Sequence, residues 1–332
     1  MTIRTKLYAT LAASAVLAGP AAAQEVLRAQ TTLPTQHTLS QSFIKHFVEP
    51  LNEAGEGVVE MNLLGGPEVN PQDRAPQAVE RGLIDVLWTP AAFMTGQVPE
   101  AQAMMLQNIG IEALHEGGAV DHYKEIFRDQ LNSEFIAWGE SGANYYLYLT
   151  EMPEFDEHGV VDLTGLSMRT TGAYRPIQEA LNATTVQMPA GDVPQALDRG
   201  VIEGFGWPTV GLESIGLQDS VSYRVEPGFY NLANVVLVNA DAWEGLSDEA
   251  RAIVEEVAAE YEHASIREME EMGERDLAAG DEAGVEAVVM EGDAAERYLS
   301  IGFEAMWENV RSNVGDEITE QLRELMYRAP DQ

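Results

Sequence analysis

Arg169 ends a short apolar run, Leu166-Ser167-Met168, that follows the turn Leu163-Thr164-Gly165. The chain holds 19 Lys and Arg against 55 Asp and Glu, so a cation closing a buried strand stands out. A guanidinium holds a carboxylate through two parallel hydrogen bonds, which fixes both charge and orientation. The competing role for such a residue is an ion pair with an acid of the fold, and the residues alone leave the two open. Arg175 and Arg224 are rivals for the same task. After a helix predicted at 174–182, the run Gly200-Val201-Ile202-Glu203-Gly204-Phe205-Gly206-Trp207-Pro208 reads as a second strand. Two strand ends pointing the same way across an α/β sheet form the crevice where open α/β folds bind ligands.

Catalytic chemistry is hard to find. Ser141 in Gly139-Glu140-Ser141-Gly142 is not a nucleophile elbow. Gly204-Phe205-Gly206 lacks the third glycine of a dinucleotide fingerprint, and Pro208 intrudes. No phosphate-cradling loop occurs. His37, His46, His115, His122, His158 and His263 have no metal-ligand spacing, and there is no cysteine. Neither an enzyme nor a cofactor nor a metal is expected.

The ordered pieces Leu163-Thr164-Gly165-Leu166-Ser167-Met168-Arg169, Met188-Pro189 and Ala196-Leu197 followed by Gly200-Val201-Ile202-Glu203-Gly204 resemble the DctP-type solute-binding proteins of tripartite ATP-independent periplasmic (TRAP) transporters. The likeness runs over nearly the whole chain after the leader. It implies a two-lobed periplasmic-binding-protein fold, an organic acid anion gripped by Arg169, and delivery to TRAP membrane subunits. Three departures qualify the match. Gly206-Trp207-Pro208 stands where the family often has Glu-Asn-Pro, whose Asn touches the ligand. No second arginine occurs at 144–148. The run Pro227-Gly228-Phe229-Tyr230-Asn231 is aromatic where others are more polar. One arginine with Trp207, Phe229, Tyr146 and Trp88 describes a pocket for a monocarboxylate with an apolar or aromatic body. Asn144, Asn231, Thr89 and His37 complete the binding candidates. A receptor for another uptake or sensing system, or a secreted α/β enzyme acting on an organic acid, are the alternatives.

The elements that must position these residues follow from pattern. Residues 1–23 read as a signal peptide: Arg4 and Lys6, an apolar run at 7–19, and Ala21-Ala22-Ala23, with cleavage after Ala23 and release to the periplasm. A formal net charge of −36 disfavours nucleic acid and anionic lipid as partners, and a monomer is expected. Strand and helix patterns alternate at 26–32, 38–51, 58–64 and 83–88, the order of a parallel sheet with helices on its faces. Residues 91–130 read as mainly helical, 222–231 as a loop, and Pro50 as a kink or end to the first helix. The α/β fold is therefore expected as two lobes around a cleft: 24–137 with about 222–255, and 138–221 with about 256–332. A helix from Ser247 to about Ala279 is long enough to bridge them.

One internal echo stands out. Gln77-Ala78-Val79-Glu80-Arg81-Gly82-Leu83-Ile84-Asp85 and Gln195-Ala196-Leu197-Asp198-Arg199-Gly200-Val201-Ile202-Glu203 share five of nine positions, and each copy leads to a tryptophan and a proline. Each reads as a helix end, a glycine cap and a strand start, which suggests two similar lobes offering aromatic loops to one cleft.

Overall fold

The computed structural model describes residues 24–212 and 216–328; the expected leader and its cleavage after Ala23 lie outside the described residues. In chain order the strands are β1 (Glu25–Thr31), β2 (Val59–Gly65), β3 (Val86–Pro90), β4 (Ser133–Gly139), β5 (Asn144–Leu149), β6 (Glu154–Phe155), β7 (Val161–Asp162), β8 (Ser167–Thr170), β9 (Thr184–Gln187), β10 (Gly204–Pro208), β11 (Tyr223–Asn231), β12 (Asn234–Asn239) and β13 (Glu286–Val289). One large sheet has the order β2-β1-β3-β12-β4 and a second β13-β11-β5-β10-β8-β9, while β6 and β7 pair in a two-stranded ribbon. Strands joined through helices pair in parallel, as β1 with β2 and β3, and β8 with β9 and β10. The returning strands β12 and β5 run antiparallel to their neighbours. The architecture is the two-lobed α/β arrangement that the sequence implies.

The echo is a structural repeat. Gly82 (φ 66°) and Gly200 (φ 62°) both end their helices in the left-handed region, which glycine enters without a Cβ penalty. The acids that follow do the same work in each lobe. Asp85 accepts from the backbone N–H of Arg28 (2.8 Å) and Glu203 from that of Ser167 (2.7 Å), each locking the new strand beside its parallel neighbour.

Two chain segments cross between the sheets, 139–144 and 231–234, and they are bonded to each other by Leu232 N–H to Ala143 O (2.8 Å). The expected loop at 222–231 is strand β11 of the second sheet, so the return crossing falls about ten residues later than the sequence suggested. Pro227-Gly228 looks like a turn, yet the ladder absorbs it as a register shift between Val225 and Phe229. The long helix Asp248–Ala283 is the third connection. It is capped by Ser247, whose side chain accepts from Ala250 N–H. Tyr261 packs edge-on to Phe43 and Phe47 in the first lobe, while Asp276 and Asp281 bond Gly211 and Arg224 in the second. Pro50 neither ends nor breaks the first helix. A wide π turn at Ile44–Val48 precedes Glu49–Ala54, giving room for the ring and the missing N–H.

Glu140 sits at the first crossing, fully buried and at φ 56°. Its carboxylate accepts from Tyr261 Oη (2.8 Å), Asn234 Nδ2 (3.1 Å) and Trp88 Nε1 (3.4 Å). One acceptor thus joins the first crossing to the long helix, to the start of β12 and to β3. Two residues on, the crossing lies against the helix backbone. A Cβ at Gly142 would stand 2.2 Å from Ile266 O, and two backbones leave little room to yield. Gly142→Ala is expected to cost about 2–3 kcal/mol in urea unfolding, as overpacking does; an unchanged midpoint would show that the helix moves aside freely.

Candidate functional site

The carboxyl ends of the parallel strands in both sheets face the crossings. In the first sheet Pro90 pairs with Asn234 and Asn234 with Gly139. In the second, Pro208 pairs with Tyr145, and Asn231 with Asn144. The site is therefore built where two strand edges meet across short connections.

Arg169 lies on β8 opposite Phe205 of β10. It is 5 % exposed. Its Nε donates to Met188 O (3.2 Å), and its backbone carbonyl accepts from Gln178 Nε2 (3.0 Å). The guanidinium carbon stands 5.7 Å from the Trp207 ring and 5.9 Å from the Tyr174 ring. These rings come from opposite faces of the sheet. Trp207 projects from β10 on the side of Phe205, whereas the face of Gly206 is covered by Tyr174, whose Cδ1 would stand 2.4 Å from a Cβ there. Burial lowers the arginine's pKa, partly offset by Tyr174, but from so high a starting value that the charge persists. Among the described residues Arg169 forms no ion pair.

That separates it from its rivals. Arg224 is equally buried, but it pairs with Glu226 (2.6 Å) and Asp281 (3.1 Å) and is a structural ion pair of β11 and the long helix. Arg175 is exposed and bonds Gln187 (2.9 Å). A buried charge without a counter-charge costs several kcal/mol. Cation–π contact offsets part of this, at about 0.5–2 kcal/mol per ring. The arrangement is suited to an incoming carboxylate.

The other sequence candidates are distributed as follows. Tyr146 and Tyr148 continue the Trp207 face, with Tyr148 stacked on Phe205 at 5.6 Å. Asn144 and Asn231 bond each other (3.1 Å), and Asn231 Nδ2 donates to Gln107 O (2.8 Å); their amides hold the crossings together. Thr89 lies at the first lobe's edge and accepts from Thr32 Oγ1 (2.9 Å). His37 caps the first helix, accepting from Leu39 N–H through Nδ1 (3.2 Å), with its pKa lowered by burial. Phe229 is 1 % exposed and packs against Tyr230 and Tyr298, inside the lobe rather than on the cleft. Trp88 is likewise a core residue, fully buried, stacked on Phe43 at 5.8 Å, its Nε1 donating to Tyr261 Oη at 3.0 Å. The two tryptophans of the echo are out of step by one residue: Trp88 lies three beyond Asp85, and Trp207 four beyond Glu203. Side chains alternate along a strand, so this single step sends Trp88 to the opposite face, and Thr89 occupies the place that corresponds to Trp207.

Tyr174 and Tyr145 were not among the sequence candidates. Tyr145 lies edge-on to Tyr174 at 5.4 Å. The available signal was Gly206 itself, an unexplained small residue beside the strand that carries Trp207.

A model of the bacterial extracellular solute-binding proteins, family 7 (DctP), matches residues 29–298. The chain is 24 % identical over 253 residues to the monocarboxylate 2-oxoacid-binding periplasmic protein of Nostoc sp., covering 73 % of this chain and 68 % of that one. It is 23 % identical over 316 residues to the ectoine-binding periplasmic protein TeaA of Halomonas elongata, covering 87 % and 85 %. A TRAP periplasmic solute-binding protein of Ochrobactrum anthropi shares the fold with a TM-score of 0.77 at 17 % identity, over 91 % of this chain and 95 % of that one. With the family model spanning most of the sequence, the chain belongs to family 7 of the bacterial extracellular solute-binding proteins, the DctP-type receptors of TRAP transporters.

Proposed function

We propose that this receptor binds an organic monocarboxylate with an apolar or aromatic body and delivers it, as a monomer, to TRAP membrane subunits. The observation that carries the reading is the buried guanidinium of Arg169, which has no acid partner among the described residues. One carboxylate would satisfy its two free amino groups. Support for a single carboxylate comes from the other buried arginine, Arg224, whose charge is already spent on Glu226 and Asp281. Support for an apolar or aromatic body comes from the rings of Trp207, Tyr174 and Tyr146 around the same strand edge. The 2-oxoacid- and ectoine-binding relatives are consistent with a small ligand of this kind. Closure of the lobes would then be stabilised by contacts from both edges to the bound anion.

Thermal unfolding against a panel of 2-oxoacids, aromatic acids, dicarboxylates and uronates tests this. A ligand at a hundred times its Kd stabilises the native state by about 2.7 kcal/mol. 2-Oxoacids and aromatic acids are expected to raise the midpoint, and dicarboxylates and the polyhydroxylated uronates to leave it unmoved. A shift by dicarboxylates alone would overturn the single carboxylate, and a shift by uronates alone the apolar or aromatic body.

A further inference from the structure

Among the described residues four non-glycine residues stand at positive φ: Asn132 (45°), Glu140 (56°), Asn182 (69°) and Tyr230 (41°). Asparagine tolerates this left-handed region, whereas a long or aromatic side chain is strained there. The two strained residues mark the two crossings between the sheets. Glu140 directly follows β4 and opens the first crossing, and Tyr230 stands just before the second. Such a backbone persists only where its surroundings over-determine it, and each of these two has its own anchor. Glu140 roots in the first lobe. Its carboxylate accepts from Trp88 of β3, Asn234 of β12 and Tyr261 of the long helix, and its N–H donates to Ser265 Oγ (3.1 Å). Tyr230 roots in the second. It is 1 % exposed, its hydroxyl donates to Gly302 O of the helix Asp293–Val314, and its ring meets Phe229 at 4.9 Å and Phe303 at 5.4 Å, edge to face. The crossings are also tied to each other, by Asn144 Nδ2 donating to Tyr230 O (3.0 Å) beside the Leu232–Ala143 bond. Turning one lobe against the other must be taken up by a few backbone torsions, because the strands on either side are held in their ladders. A residue held in a strained region is suited to that task, since leaving the region relieves strain while its anchor opposes the change.

We propose that Glu140 and Tyr230 are the pivots of lobe closure. Each is clamped in the left-handed conformation by a side chain rooted in a different lobe, and the two anchors set the balance between lobe positions. This rests on closure of the lobes around a ligand, and not on which residue holds that ligand.

The chain has no cysteine, so Asp73→Cys with Asp198→Cys, both positions exposed and one in each lobe, gives a clean spin-label pair on the ligand-free full chain. Pulsed electron paramagnetic resonance of that pair is the test. Glu140→Ala removes the anchor but not the strain, and is expected to shift or broaden the distance distribution by more than about 2 Å, the scale of a hinge rearrangement. Glu140→Gln keeps an acceptor oxygen for the same donors and should give the wild-type distribution. Tyr230→Phe loses only the hydroxyl bond, should fold, and is expected to change the distribution as Glu140→Ala does. Asn182→Ala disturbs a left-handed residue inside one lobe and should leave the distribution unchanged. The proposal of two pivots falls if either folded variant keeps the wild-type distribution, so Tyr230→Phe alone can overturn it should Glu140→Ala not fold. It falls too if Asn182→Ala moves the lobes as far, because the loosening would then be general. No ligand enters the measurement, so either failure leaves the Arg169 reading standing.

Discussion

Arg169→Ala is expected to weaken binding of the cognate carboxylate by at least a hundredfold while leaving the melting temperature of the ligand-free protein unchanged or slightly raised. The two halves of the result have one cause. With ligand, the variant loses a charge-assisted pair in a water-poor site, worth about 2–5 kcal/mol. Without ligand, the wild-type guanidinium makes one hydrogen bond, to Met188 O, and two ring contacts among the described residues. These only partly offset the cost of burying an unpaired charge, so its removal relieves as much as it loses. Arg224→Ala provides the contrast. It breaks contacts to Glu226 and Asp281 and should lower stability by about 2 kcal/mol, mainly through the packing and ion pairing lost with the buried guanidinium, since both acids reach solvent. Calorimetric melting of both variants with and without ligand reads all four quantities. An Arg169→Ala protein that melts as early as Arg224→Ala and still binds would make Arg169 a structural residue.

The second large effect concerns pH. Burial raises the Glu140 carboxyl to about 7, although its bonds to Tyr261, Asn234 and Trp88 pull the other way. An acid whose folded pKa lies above its unfolded value is destabilising once ionised. Below about pH 4 both states hold the proton and the residue is neutral in its effect. Between the unfolded value and about 7 the unfolded chain ionises first, so stability falls as pH rises. Above 7 both states are ionised and the loss is complete, about 3 kcal/mol at this shift. Glu140→Gln keeps the size and removes the charge. Its stability relative to wild type should improve from pH 4 to pH 8 by about 2–3 kcal/mol, and subtracting the two curves cancels groups common to both proteins, such as His115, whose pKa is raised by its bond to the Glu262 carboxylate. Parallel curves would mean that the carboxylate is as well solvated by its donors as it would be by water. The position keeps the acid because Tyr261, Trp88 and Asn234 all donate to it, and these come from the long helix, β3 and β12.

Much of this was legible in the residues. Alternating strand and helix patterns gave the α/β lobes, and the Gly82 and Gly200 joints gave their repetition, because a left-handed helix cap is a local demand that only a few residue types meet. The Ser247-Asp248-Glu249 start of the bridging helix was readable for the same reason. Strand β11 was not, because Pro227-Gly228 carries a local turn signal that the ladder on both sides outweighs. Residue types also singled out three arginines without ranking them by chemistry alone. The ranking depends on whether an acid arrives from elsewhere in the chain: Asp281, far along the sequence, reaches Arg224, and among the described residues no acid reaches Arg169.

Sequence by itself determined the family and the lobed α/β class, and placed Arg169 inside the family's ordered motifs, since each rests on short-range pattern. The tertiary structure alone decided which aromatic rings accompany it. Trp88 and Trp207 share a motif but differ by one step along their strands, and a period of two turns that step into opposite faces of their sheets. Tyr174 reaches the arginine only because Gly206, 32 residues later in the chain, leaves its face of the sheet bare. Pleat parity and the meeting of distant surfaces are properties of the folded sheet, and no local reading of residues contains them.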